Sequence, residues 1–198
     1  MTRRIPLIPT LLVALAIAAM IGLGVWQIRR AHEKEAMLTR FAAAEYLPAV
    51  VWPTTPTADK DLPLFRQASA NCLEIIGRPV VIAGHNRAGE TGYSHRADCR
   101  TGAEGPGMHV DLGWSRDPNA KVAFTGGPMV GQIAPDKQHR MRLISAVGLG
   151  GLEASAPASP ADVPNNHRSY AVQWFAFALT ALVIYVLALR GRWRGAAK

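Results

Sequence analysis

Two apolar runs, residues 5–26 and 170–189, stand at opposite ends of this chain, and neither contains a charged side chain. Each is about 20 residues long, enough at about 1.5 Å rise per residue to cross a hydrocarbon core of about 30 Å. Inside lipid the backbone must bond to itself, so each run is expected as a helix. The chain therefore reads as a two-pass membrane protein with one large domain between its anchors.

The first run also has features of a signal peptide: Arg3 and Arg4 make a positive start, and A-x-A-like sites fall at 14–16 and 16–18. Against cleavage, the apolar stretch continues through Ile21, Leu23, Val25 and Trp26. Pro6 and Pro9 sit where a first turn tolerates them. An uncleaved anchor is expected. Ala14, Ala18 and Gly22 recur every fourth residue, either as a stripe for close helix approach or because both residue types are common here.

A net charge of +8 would suit a nucleic-acid binder if it were evenly spread. It is not. Residues 41–166 carry eleven Lys and Arg against twelve Asp and Glu, while the other eleven basic residues flank the anchors beside only Glu33 and Glu35. Anionic head groups of a lipid bilayer are the implied partner, and nucleic acid is not. The tails hold Arg3, Arg4, Arg190, Arg192, Arg194 and Lys198 with no acids, which favours both termini on the cytoplasmic side. A loop of this length translocates despite Arg29, Arg30, Lys34 and Arg40, so the middle domain is expected outside the cytoplasm, in a bacterium the periplasm.

Between the anchors, residues 29–41 suit a helical extension, and Pro48, Pro53 and Pro56 mark a linker. Short runs at 71–76, 79–86, 91–99, 108–114, 122–124, 129–133 and 141–147 then suit strands, with turns at Gly77, 86–89, 101–107, 117–119, 126–128 and 135–136. The expected fold is two transmembrane α-helices flanking one mainly antiparallel β domain, a small sheet or barrel. The organisation is a cytoplasmic tail at 1–4, a helix at 5–28, extension and linker at 29–56 and the β domain at 57–148. A Gly-, Ala-, Ser- and Pro-rich tether at 149–168, a helix at 169–189 and a cytoplasmic tail at 190–198 follow.

Cys72 and Cys99 both lie in the middle domain. In an oxidising compartment they read first as a disulfide, worth about 3 kcal/mol for such a loop. Two separate buried thiols, or a metal or redox site with His95, are the other readings, although the paired C-x-x-C spacing of zinc sites is missing. His109, Asp111 and Ser115 do not make a catalytic set, because no G-x-S-x-G elbow surrounds the serine. Nor does a glycine-rich phosphate loop open a helix. No enzyme is expected.

At the exit of the first anchor stand Trp26, Gln27, Arg29, Arg30 and Lys34, and at the entry of the second His167, Tyr170, Gln173 and Trp174. Tryptophan and tyrosine belong at a lipid–water boundary, and arginines anchor helix ends there. An imidazole at that depth can ligate a metal or haem iron or titrate near neutral pH, though a lone one is more often a hydrated flank residue.

Together these motifs resemble a family. Gly24-x-Trp26-Gln27-x-x-Arg30-x-x-x-Lys34 and Asn166-His167-x-x-Tyr170-x-x-x-Trp174 are similar to the two ends of the surfeit locus protein family. Gly89-x-Thr91-Gly92-Tyr93 and Gly113-Trp114 are similar to its internal landmarks, with Leu112 where the family often has arginine. The resemblance implies an assembly factor for cytochrome c oxidase, working on the catalytic subunit with the haem a synthesis machinery. It implies His167 as the haem a contact, with Trp26, Gln27, Arg30, Tyr170 and Trp174 around it, in a bacterial inner membrane. A membrane-tethered thiol or metal chaperone, and a structural partner binding no cofactor, are the alternatives.

Overall fold

The computed structural model describes residues 5–103 and 107–195. The expected turn residues Gly105 and Pro106 and the basic residues Arg3, Arg4 and Lys198 lie outside the described residues. The chain divides into two compact units, a helical one from both ends of the chain and a sheet one over Leu38–Val163.

Helix α1 spans Leu7–Ala44 and α2 spans His167–Gly195, and each is long and apolar enough to cross a membrane. Pro9 falls among the first turns of α1, where no intrahelical donor is lost, and α1 continues past Arg29 without a break. Pro164 lies just before α2, whose Tyr170 amide donates to the Asn166 carbonyl at 3.1 Å.

Among the described residues the sheet unit has seven strands: β1 (Val50–Val51), β2 (Gln67–Cys72), β3 (Glu74–His85), β4 (Thr91–Arg100), β5 (Met108–Ser115), β6 (Gly127–Asp136) and β7 (Arg140–Ser145). They lie in the order β1-β2-β6-β7-β5-β4-β3. The β1–β2 and β5–β7 pairings are parallel, and the others among the described residues are antiparallel. The sheet is open, with β1 and β3 at its edges, so of the two expected forms it is the sheet and not the barrel.

Strand β6 runs through the turns expected at 126–128 and 135–136, and three further departures from the sequence reading have identifiable reasons. The run 71–76 is the end of β2 and the start of β3, split at Leu73. Gly77, expected as a turn, instead takes a φ of 75° inside β3, where the pairing to β4 slips between Ile76 and Val80. Pro79, which has no N–H to give, sits in that bulge on an edge strand. Residues 122–124 form no strand, because Val122 and Phe124 satisfy their alternation by packing onto the core without joining a ladder.

One sheet face carries the apolar core: Ala68 and Cys72 of β2, Ala97 and Cys99 of β4, Met108, Val110 and Leu112 of β5, Met129 and Ile133 of β6, and Leu143 of β7. These are alternate positions, as a face with period two requires. Leu112, the departure from the family pattern, is fully buried in this core. Cys72 and Cys99 are bonded to each other across it, with Cα atoms 5.6 Å apart. The stretch after residue 148 is tied to the sheet, by Leu149 N–H to the Leu112 carbonyl at 2.9 Å, a bridge pairing Trp114 with Glu153, and Ala156 N–H to the His85 carbonyl at 2.8 Å.

The opposite face is charged. Arg96 lies 3.6 Å from Asp111 and 3.7 Å from Asp136, and Arg142 lies 3.4 Å from Asp136, all four largely buried. Burial alone would raise the Asp136 pKa. The amides of His139 and Gln138, with the charge of Arg142, outweigh it and hold the carboxyl at about 2. Because the folded pKa lies below the unfolded value of about 3.9, the stabilisation is present above pH 4 and disappears as pH falls towards 2. Asp136→Asn should therefore cost about 2 kcal/mol at neutral pH. In parallel thermal melts of the two proteins, the gap in midpoint should close between pH 5 and about 2.

Candidate functional site

The helical unit places the two boundary motifs together. Along α1 from Thr10 to Ala31 the partly or fully buried positions are Thr10, Val13, Ile17, Met20, Gly24, Gln27 and Ala31, an alternation of three and four residues. In α2 they include His167, Ala171, Trp174, Ala178, Ala181 and Tyr185, spaced the same way. This is the heptad spacing of two helices meeting side chain into gap. The contacts run antiparallel: the Thr10 and Tyr185 hydroxyls bond, a Cβ added at Gly24 would lie 2.7 Å from the Phe175 ring, and Gln27 meets His167. Beyond them Arg168 grips Glu35 through two bonds of 2.7 and 3.0 Å.

The small-residue stripe read from the sequence is not this seam. Ala14, Ala18 and Gly22 are all exposed, and nothing lies within 4 Å of a Cβ at Gly22. The stripe repeats every four residues, whereas two helices in prolonged contact follow 3.5. Gly24, two residues further along and on the other side of the helix, provides the close approach instead.

His167 Nδ1 is 2.8 Å from Gln27 Oε1. A carbonyl oxygen only accepts, so Nδ1 carries the hydrogen of this bond, and in the neutral ring the lone pair is then on Nε2. An imidazole fixed in this tautomer by an accepting partner is the usual form of a metal-ligating histidine. Gln27 thus orients His167 and leaves its other nitrogen available for coordination.

The remaining predicted residues surround this pair unevenly. Trp26 and Tyr170 are each about half exposed, at 52% and 50%. Trp174 is partly buried and meets Phe177 edge to face at 6.1 Å between ring centres. Arg30 is exposed and bonds Glu33 at 2.8 Å rather than any residue of α2. Helical geometry nonetheless puts them on one flank. At about 100° per residue, Arg30 and Trp26 lie about 60° and 100° round from Gln27, and Tyr170 about 60° round from His167 in the same index direction. Because the helices run antiparallel, those offsets open on the same side. Two aromatic faces, one guanidinium and the His167 edge therefore border one strip of the helix pair.

The candidate catalytic set is dispersed. His109 Nδ1 is 2.8 Å from Asp98, Asp111 accepts from the Ser155 hydroxyl at 2.7 Å, and Ser115 bonds the buried His95 at 2.8 Å. Burial draws the His95 pKa down, against the opposing pull of Asp111 and Asp117, and so favours a neutral ring. Sequence reasoning missed the cluster of Asp98, His109 and His139, whose ligand atoms all lie within 4.8 Å of one another. The signal available was the alignment of 91–99 against 108–114, which sets Asp98 opposite His109.

Two apolar helices flanking a mixed sheet, with an imidazole oriented where the helices meet, define a two-pass membrane protein built around one extramembrane domain. The family profile described as SURF1 family matches residues 14–179, and the chain belongs to that family, which is one of cytochrome oxidase assembly factors. The match spans most of α1, the whole sheet unit and the first part of α2, through residue 179. No curated protein matches the chain.

The seam makes a direct prediction. Gly24→Val, which drives a side chain into the Phe175 ring, should lower the thermal midpoint of the detergent-solubilised protein by the equivalent of about 1–3 kcal/mol. Gly22→Val, facing open space, should leave it unchanged. Equal effects of the two substitutions would contradict the seam.

Proposed function

We propose that this protein assists cytochrome c oxidase assembly by holding haem a at the membrane boundary for insertion into the catalytic subunit, with His167 as the axial donor. The observation that carries the reading is the 2.8 Å bond from His167 to Gln27, which joins the two boundary motifs and leaves Nε2 free to coordinate. The residues fit the group. Haem is amphipathic, and the strip bordering His167 offers the Trp26 and Tyr170 faces to a macrocycle and Arg30 to a propionate. Trp174 stands at a partly buried position of α2 and meets Phe177 of its own helix edge to face. Gln27 is a positioning residue.

The protein acts here as a carrier and not as an enzyme, receiving haem a from its synthesis machinery and presenting it to the oxidase. In this reading it lies in the bacterial inner membrane with both termini cytoplasmic and the sheet unit periplasmic. The basic tails and an oxidised cysteine pair support that orientation. A thiol-chaperone role is disfavoured because Cys72 and Cys99 are joined and almost wholly buried.

The test is the visible spectrum of the full chain purified after co-expression with haem a synthesis. His167→Ala should lose most of the bound haem a and lower the yield of active oxidase while the protein remains inserted and abundant. Trp26→Ala and Arg30→Ala should lose less, since they supply packing and charge and not the bond to iron. Full occupancy with an unchanged Soret band in His167→Ala would overturn the ligand assignment.

A further inference from the structure

We infer that Asp98, His109 and His139 form a binding site for one divalent transition-metal ion of the zinc or copper(II) type, in the sheet unit and separate from His167. Asp98 on β4 and His109 on β5 are direct cross-strand partners, and His139 sits in the turn joining β6 to β7. The Asp98 Oδ1 oxygen is approached from two sides, by His109 Nδ1 at 2.8 Å and His139 Nε2 at 3.6 Å. The two imidazole rings stack, 4.1 Å apart and inclined by 13°.

The surroundings favour a cation at this oxygen. Arg96 and Arg142 are occupied by Asp111 and Asp136, and Arg140 by Asp59, so among the described residues the ion-pair contacts of Asp98 are imidazoles alone. Asp136 Oδ1 lies 3.5 Å from His139 Nδ1, on the ring edge away from Asp98. A carboxylate behind a histidine fixes its tautomer and raises the basicity of the nitrogen that faces the metal. Asp136 is itself held in place by two backbone amides and Arg142.

Imidazole with one carboxylate is the donor set of zinc and copper(II) rather than of calcium or magnesium. Bonds of about 2.0–2.1 Å at tetrahedral angles put donor atoms about 3.3 Å apart, so seating an ion requires His139 to close on Asp98 from 3.6 Å and His109 to draw back from 2.8 Å. His139 is 40% exposed in a turn and has room to do so. Three protein ligands leave at least one position for water or an exchanging ligand, and the cluster borders an open cleft of about 630 Å³. The site is therefore of the kind that holds and releases an ion, not the closed kind that supports a fold.

The test uses the full-length chain in detergent, stripped with a chelator and titrated with Zn²⁺ against a chromophoric competitor. One equivalent should bind, and His139→Gln and Asp98→Asn should each weaken binding by more than tenfold, while Asp136→Asn should weaken it by about tenfold. His139→Gln removes an exposed side chain, and an unchanged thermal midpoint would show the fold intact. With Cu²⁺, the electron paramagnetic resonance spectrum should show coupling to two nitrogens in the parent protein and to one in His139→Gln. His167→Ala should bind the ion as the parent does, which separates this site from the haem reading. Absence of binding, or affinity unchanged by both His139→Gln and Asp98→Asn, would overturn the assignment.

Discussion

The antiparallel contact between α1 and α2 fixes the depth and rotation of every boundary residue in the chain. In lipid there is little hydrophobic gain from bringing two apolar helices together, so association rests on close packing and a few polar bonds. Gly24 supplies the close approach, Ala31, Ala171 and Ala178 the small buried surfaces, and Thr10 with Tyr185 a hydroxyl bond at the far end. With the seam in that register, Gln27 reaches His167. A shift of one residue in either helix would turn one of them out of it by about 100° and separate the pair.

The sheet unit solves a different problem. Its core face is filled by alternate side chains from five strands and cross-linked by Cys72 and Cys99, and segments without regular pairing, carrying Val122, Phe124, Leu149 and Leu152, cover it. Its other face keeps buried arginines and aspartates in mutual register, which costs desolvation unless each charge has a partner. That cost is met by cross-strand pairing, since Arg96 stands directly opposite Asp111; the same register sets the exposed Asp98 opposite His109. The registers of two hairpins, β4–β5 and β6–β7, therefore determine both the ion pairs and the imidazole–carboxylate cluster at their edge.

Much of this was legible in the residues. The absence of charge over two runs marked the helices, and alternating residues between turn formers marked β4, β5 and the middle of β6. What escaped depended on pairing between distant segments. The stripe at Ala14, Ala18 and Gly22 was conspicuous because small residues stand out among leucines, but in an all-apolar helix composition does not identify the buried side. Residues 122–124 alternate like a strand because one side faces a core, which a loop can do equally well. His139 lies far along the chain from Asp98 and gives no local sign of meeting it.

The claim on which the account most depends is that α1 and α2 meet along the Thr10–Gly24–Gln27 face. Thiol cross-linking in intact membranes measures this directly, with a short bifunctional reagent and one cysteine introduced in each helix. The pair Thr10→Cys with Tyr185→Cys should link in high yield, because their side chains touch. The pair Ala18→Cys with Ala178→Cys, at a similar depth to each other but with residue 18 turned outward, should not. Efficient linkage of the second pair without the first would place the small-residue stripe in the seam, and would remove Gln27 from behind His167.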